Sequence, residues 1–103
     1  MELTNVKQTD YDEQAQVMKA LAHPSRLLIV HALMEHRLCV RELQELLPHN
    51  ISTVSRHLSV LKNAGLLAEE KCGLYVYYKL TCPCISTFLS CVGQITGEAQ
   101  DQG

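Results

Sequence analysis

Between Val40 and Leu80 the hydrophobic period of the chain changes once, from helical to alternating, and few small folds accommodate that order. Val40, Leu43, Leu46 and Leu47 recur at helical spacing. Pro48-His49-Asn50 interrupts them, and Ile51, Val54, Leu58 and Leu61 resume the same period. Ala64-Gly65 closes this second helix, glycine being the usual residue beyond a helix end. Two runs follow, Leu66 to Lys71 and Leu74 to Leu80, separated by Cys72-Gly73. In the second run Leu74, Val76, Tyr78 and Leu80 alternate with Tyr75, Tyr77 and Lys79, the pattern of a half-buried strand, so the pair reads as a hairpin.

The flanks complete the order. Residues 1–10 are polar and read as a flexible arm. From Tyr11 a helix is expected, with Val17, Met18 and Leu21 on one stripe. His23-Pro24 ends it, and Pro24 suits the first turn of a second helix, Ser25 to Glu35. That helix carries Leu27, Leu28, Ile29, Val30, Leu33 and Met34, apolar on most sides, which places it at the centre of the domain. A last helix opens near Pro83 with Ile85, Phe88, Leu89, Val92 and Ile95, and residues 97–103 form a polar tail. The order ααααββα makes one mainly α domain over residues 11–96 with a β-hairpin wing, a winged helix-turn-helix.

The rest of the composition excludes more than it selects. No stretch of about 18 apolar residues offers a membrane span. The opening residues lack the basic patch and apolar run of a signal peptide, so a cytoplasmic location with reduced thiols is expected. Five cysteines, an odd number, argue against a disulfide scaffold and for ligands, redox groups or core fillers. A net charge of −2 counts against nucleic-acid binding only as a total. No acid lies between Glu45 and Glu69, the stretch that holds Arg56, Lys62 and several hydroxyls.

In a helix-turn-helix the second helix enters the major groove, so it needs aliphatics on one side and small polar groups on the other. Ser52, Thr53, Ser55, Arg56, His57, Ser59 and Lys62 are the candidates on that helix. Arg56 has the reach for phosphate or a guanine edge. Lys71, Tyr75 and Tyr77 of the hairpin would lie beside the groove. The bland alternative is an amphipathic helix with a solvated face.

Ala20-Leu-Ala-His-Pro-Ser-Arg-Leu-Leu28 is similar to the segment that opens the ArsR/SmtB repressors, and Ser52 to Leu66 resembles their recognition helix and its exit. Leu74-Tyr-Val-Tyr-Tyr78 fits the returning strand of their wing. The resemblance, which extends over residues 12–95, implies a homodimer formed by the first and last helices and a repressor released from its operator by an effector. Two-fold symmetry then implies an imperfectly palindromic double-stranded operator. Ile85, Phe88, Leu89 and Val92 supply the apolar stripe that a dimerising last helix needs. They would serve equally for packing within one chain.

Cys82-Pro83-Cys84 is the most pointed chemical feature. Thr81 or Cys82 as helix cap, with Pro83 in the first turn, sets both thiols at a helix start, where the dipole favours thiolate. Thiolate binds soft metals and metalloids and is also the form that is oxidised. Cys91 is a candidate third ligand. It lies seven residues on, about 10 Å along a helix at 1.5 Å per residue, so one straight helix does not bring it to the same ion. Trivalent arsenic or antimony takes three thiolates, so two thiolates plus a third suit it better than zinc, which usually closes with four ligands. As(III) or Sb(III) is therefore the expected effector, with no obligatory cofactor. Cys39 is a weaker ligand: Leu38-Cys39-Val40-Arg41 resembles the arsenic-binding segment of some family members, but arginine stands where their second cysteine would be. Cys72 reads as an incidental exposed thiol, His23 as structural, and Arg26 as a local partner within the fold.

Three alternatives remain open: a thiol redox or persulfide sensor on the same scaffold, an interaction module that binds no DNA, and an enzyme. The last is disfavoured, because no Cys-x-x-Cys, phosphate loop, dinucleotide fingerprint or His-Glu-x-x-His occurs.

Overall fold

The computed structural model describes residues 8–97, and the expectations for residues 1–7 and 98–103 lie outside them. Five helices and three strands follow in the order α1 (Gln8–Leu21), α2 (Pro24–Leu33), β1 (Leu38–Cys39), α3 (Val40–Glu45), α4 (Ile51–Asn63), β2 (Leu67–Cys72), β3 (Tyr75–Leu80) and α5 (Ile85–Thr96). This is a winged helix-turn-helix. The arm expected over residues 1–10 already gives way to helix at Gln8, with Asp10 in the first turn, where a negative charge favours the helix start.

Each helix boundary has a local cause. His23 caps α2 by accepting the Ser25 N–H on Nδ1 at 3.0 Å, and Pro24 fills the first helical position. The Cys39 N–H donates to the Glu42 carboxylate at 3.0 Å at the start of α3, half of a capping box. Asn50 caps α4 by accepting the Thr53 N–H at 2.9 Å. Gly65 ends it with φ +86°, a backbone angle that side chains rarely tolerate.

The sheet is antiparallel in the order β1-β3-β2. Leu67 faces Leu80 and Cys72 faces Tyr75, so the hairpin turn is Gly73-Leu74, one residue later than Cys72-Gly73. Of the two turn residues only Gly73 has positive φ, as expected for a two-residue turn with glycine first. Leu74 therefore leaves the strand and is 99% exposed. Strand β1 escapes sequence reading because two residues carry no alternation. It pairs Leu38 with Tyr78 and Cys39 with Tyr77, tying the base of the wing to the start of α3.

The core gathers Ile29 and Val30 of α2, Leu43 of α3, and Val54, Leu58 and Leu61 of α4, all fully buried. Several residues expected to face inward do not, the half-exposed Met18 and the turn residue Leu74 among them. Ile51 is about half exposed because, in the first turn, its side chain tilts back past the end of the core. Leu46 is equally exposed because α3 stops at Glu45 and the chain turns before Leu46 completes the stripe. Nor is α2 central on every side: Leu27 and Leu28 lie open on one flank. Helix α5 has no buried residue at all, although Ile85 and Leu89 pack partly against the core.

Candidate functional site

Helix α4 is held from below by its aliphatic row and capped at its start, which leaves one face free. Ser52, Ser55, Arg56 and Ser59 are exposed on that face, and Thr53 is half-buried beside the cap. Hydroxyls and one guanidinium on a rigid, slender helix match what the major groove admits.

Two of the expected surface residues are engaged otherwise. His57, expected on the outward row, is instead 7% exposed, and its Nδ1 accepts from Arg26 Nε at 3.2 Å. It lies three residues after Val54 and four before Leu61, which carries it around the helix to the buried side. Lys62 is exposed, yet its ammonium meets the Glu69 carboxylate at 2.5 Å. That pairing holds the lysine above its ordinary pKa and partly neutralises it as a phosphate contact. Glu69 is the first acid after the acid-free stretch, and the fold turns it back onto that stretch.

In the wing, Lys71 and Tyr75 are exposed and Tyr77 is half-buried. The Tyr75 and Tyr77 rings lie 6.5 Å apart between centroids. Arg37 covers the Tyr77 ring at 4.8 Å and pairs with Glu70, which Lys79 also reaches at 3.3 Å. Arg37 was invisible as a wing residue in the sequence, because only the β1–β3 pairing brings the loop after α2 to the hairpin.

At the other end of the wing the chain passes through Thr81 into α5. The expected cap does not form. Thr81 Oγ1 donates to the Gly65 carbonyl at 2.5 Å, and Cys84, not Thr81 or Cys82, occupies the cap position without a side-chain bond. A tight turn bridges the gap, with the Ile85 N–H reaching the Cys82 carbonyl and the Ser86 N–H the Pro83 carbonyl, each at 3.2 Å. Pro83 thus precedes the helix instead of opening it.

This turn folds Cys82 and Cys84 toward one another, 5.4 Å apart at Cα, and they are joined as a disulfide. Cys91 is exposed farther along α5, Cys39 is half-buried where β1 meets α3, and Cys72 is exposed at the end of β2. Among the described residues no three His, Cys, Asp or Glu side chains converge as a metal site. The cysteine pair is therefore brought together within one chain, and its suggested third ligand is not.

Helix α5 presents Phe88, Val92 and the 84%-exposed Ile95 outward. An open groove between α5 and α2 is lined by Leu27, His31, Leu89 and Val92. Across the described residues no helix is long and apolar enough to cross a membrane.

Comparison with known proteins agrees with this architecture. The family model described as bacterial regulatory protein, arsR family, matches residues 23–69. The HTH-type transcriptional repressor SmtB of Mycobacterium tuberculosis (strain H37Rv) is 41% identical over 69 residues, 67% of this chain and 51% of that protein. The chain thus spans about half the length of that relative. The transcriptional repressor PagR of Bacillus anthracis is 32% identical over 85 residues, covering 82% of this chain and 85% of that one. The crystal structure of M. tuberculosis Rv0081 superposes with a TM-score of 0.80 at 28% identity, covering 93% of this chain and 97% of that one. The family model describes regulatory proteins, SmtB and PagR are repressors, and the fold, the segment from His23 to Glu69 and the PagR match make one conclusion: the chain belongs to the ArsR family of bacterial regulatory proteins.

Proposed function

We propose that the protein is a dimeric transcriptional repressor that reads double-stranded DNA with α4 and its wing, and that a thiol-directed signal at Cys82 and Cys84 releases it. The observation that carries the DNA part is the exposed row Ser52, Ser55, Arg56 and Ser59 on a helix pinned by Val54, Leu58 and Leu61. Dimerisation through α5 is supported by its apolar outer face, where Phe88, Val92 and Ile95 are exposed, and by the open flank of α2 beside it. An imperfect palindrome follows from the two-fold axis, with half-site centres about 34–36 Å apart or a multiple of that.

Redox sensing is the signal that the geometry supports best. Cys82 and Cys84 close on each other at the junction between the wing and the dimerising helix. A peroxide-class oxidant would take two electrons and two protons from the dithiol to leave the disulfide, and water would carry the oxygen away. Opening or closing this ring resets how α5 leaves the wing, and hence the angle between the two copies of α4. A coupling of about 1–3 kcal/mol changes operator affinity about 5- to 150-fold.

As(III) or Sb(III) bound by the reduced pair is the second reading, favoured by the exposed position of Cys91 on the same helix. Cys91 of a second copy would be the third thiolate. The test is fluorescence anisotropy on a duplex from the DNA upstream of the protein's own gene. Reduced wild type and Cys82→Ser/Cys84→Ser are each read alone, with hydrogen peroxide and with arsenite. Release of wild type by peroxide but not arsenite, with the variant inert, supports the redox signal. Release by arsenite in reducing buffer supports the metalloid. Equal release of the variant overturns both.

A further inference from the structure

Beneath α4 three imidazoles and a guanidinium meet. The His23 and His57 rings lie 4.5 Å apart between centroids, and His49 and His57 5.8 Å. His57 Nδ1 accepts from Arg26 Nε at 3.2 Å, and His23 Nδ1 accepts from the Ser25 N–H at 3.0 Å. Each of these bonds uses the lone pair of an unprotonated nitrogen. A proton on either atom sets donor against donor. Ser25 Oγ and His49 Nε2, 2.8 Å apart, complete the cluster.

Arg26 cannot simply turn away. Its Nη1 also donates to the carbonyls of Lys19 and Ala20, at 3.3 and 3.2 Å, at the end of α1. One side chain thus ties α1, α2 and α4 together.

We propose that this cluster is a proton-sensitive seat for α4: it holds the helix while His57 is neutral, and mild acid loosens α4 and weakens DNA binding. The proposal rests on the reading of α4 as the DNA-binding helix. His57 is faced by His23 from the start of α2, Arg26 within α2, His49 from the turn before α4, and Arg56 on its own helix. All are bases, and among the described residues no carboxylate acts on it. Burial first, then these neighbours, hold His57 below its ordinary value of 6.5.

The sign follows from linkage. The unfolded chain takes up the proton before the folded one, so the stabilisation is complete above 6.5 and is lost as pH falls through the lowered folded value. For DNA binding the direction is the reverse of that for a histidine on the contact surface, where protonation adds a phosphate contact and tightens the complex.

The experiment combines histidine NMR titration, amide exchange across Val54–Leu61, and anisotropy on the upstream duplex, at about pH 7.5 and about pH 5.5, either side of the ordinary histidine value. Wild type, His57→Gln and His36→Gln are compared. Glutamine keeps an acceptor for Arg26 without titrating, and the exposed His36 is the control. The expected result is that His57 titrates below 6.5 and amide protection in α4 falls in the same step. DNA affinity then drops by up to about tenfold per pH unit for each proton taken up. His57→Gln lowers that slope by about one proton, and His36→Gln leaves it unchanged. Titration of His57 at or above its ordinary value, affinity rising toward acid, or an unchanged slope in His57→Gln overturns the proposal. If no DNA binds at either pH, the reading of α4 fails instead, and the NMR arms alone decide whether the seat responds to protons. They also decide if His57→Gln does not fold.

Discussion

Asn50 separates two roles that most residues of α4 combine. Its side chain accepts the Thr53 N–H at 2.9 Å, satisfying one of the donors that the helix start leaves without a partner in the backbone. Removing it in Asn50→Ala costs about 1 kcal/mol, within a usual range of about 0.5–2. In a domain of this size each kcal/mol lowers Tm by about 4–8 °C, so a thermal melt followed by circular dichroism resolves the loss. Aspartate caps as well as asparagine, and its charge gains about 0.3–1 kcal/mol from the helix dipole. Asn50→Asp therefore melts at or above the wild-type temperature. On DNA the order reverses. A carboxylate about 6 Å from a phosphate is repelled by about 0.7 kcal/mol even in water, close to threefold in Kd for each phosphate it faces. Anisotropy on the upstream duplex then ranks wild type above Asn50→Asp, although the variant is no less stable. If Asn50→Asp binds as tightly as wild type while keeping its stability, the start of α4 does not face the phosphates, and the docking argued above is wrong.

Other expectations test separate parts of the structure. Leu58→Ala, at a fully buried site of α4, costs about 2–5 kcal/mol in urea denaturation, a large share of the stability of so small a domain. Phe88→Asp barely alters the core of its own chain, since Phe88 is exposed there, but sedimentation velocity shifts to the monomer. The Glu42 carboxyl is held below its ordinary 4.5, first by the Cys39 backbone N–H and then by its thiol. Its contribution to the start of α3 is therefore present above 4.5 and lost as pH falls through the lowered value. Amide exchange at Cys39 reports that loss, and Glu42→Gln removes its pH dependence.

The helix order and the hairpin were legible in the sequence because each rests on a period repeated over two turns or more. Features that depend on distant pairing were not. Strand β1 has two residues and exists only because β3 lies beside it. His57 illustrates a subtler limit: polar and next to Arg56, it reads as surface, yet its spacing from Val54 and Leu61 already places it on the buried side. The Arg26 partner that makes that burial tolerable comes from a segment 31 residues earlier. The cysteine pair was visible as a motif, but the turn that brings the sulfurs together depends on Thr81 turning to Gly65 instead of capping α5. At the helix ends, Ile51 and Leu46 kept the right spacing and still faced solvent, because a period says nothing about where the core stops.

The most direct test of the central claim is the affinity of the reduced full chain for duplex DNA from upstream of its own gene, against a scrambled duplex of equal length, with Arg56→Ala beside wild type. A preference of about 10³ or more for the upstream sequence is expected, largely lost in Arg56→Ala while the fold by circular dichroism is unchanged. Equal affinity for both duplexes, or an Arg56→Ala protein that keeps the preference, would contradict it.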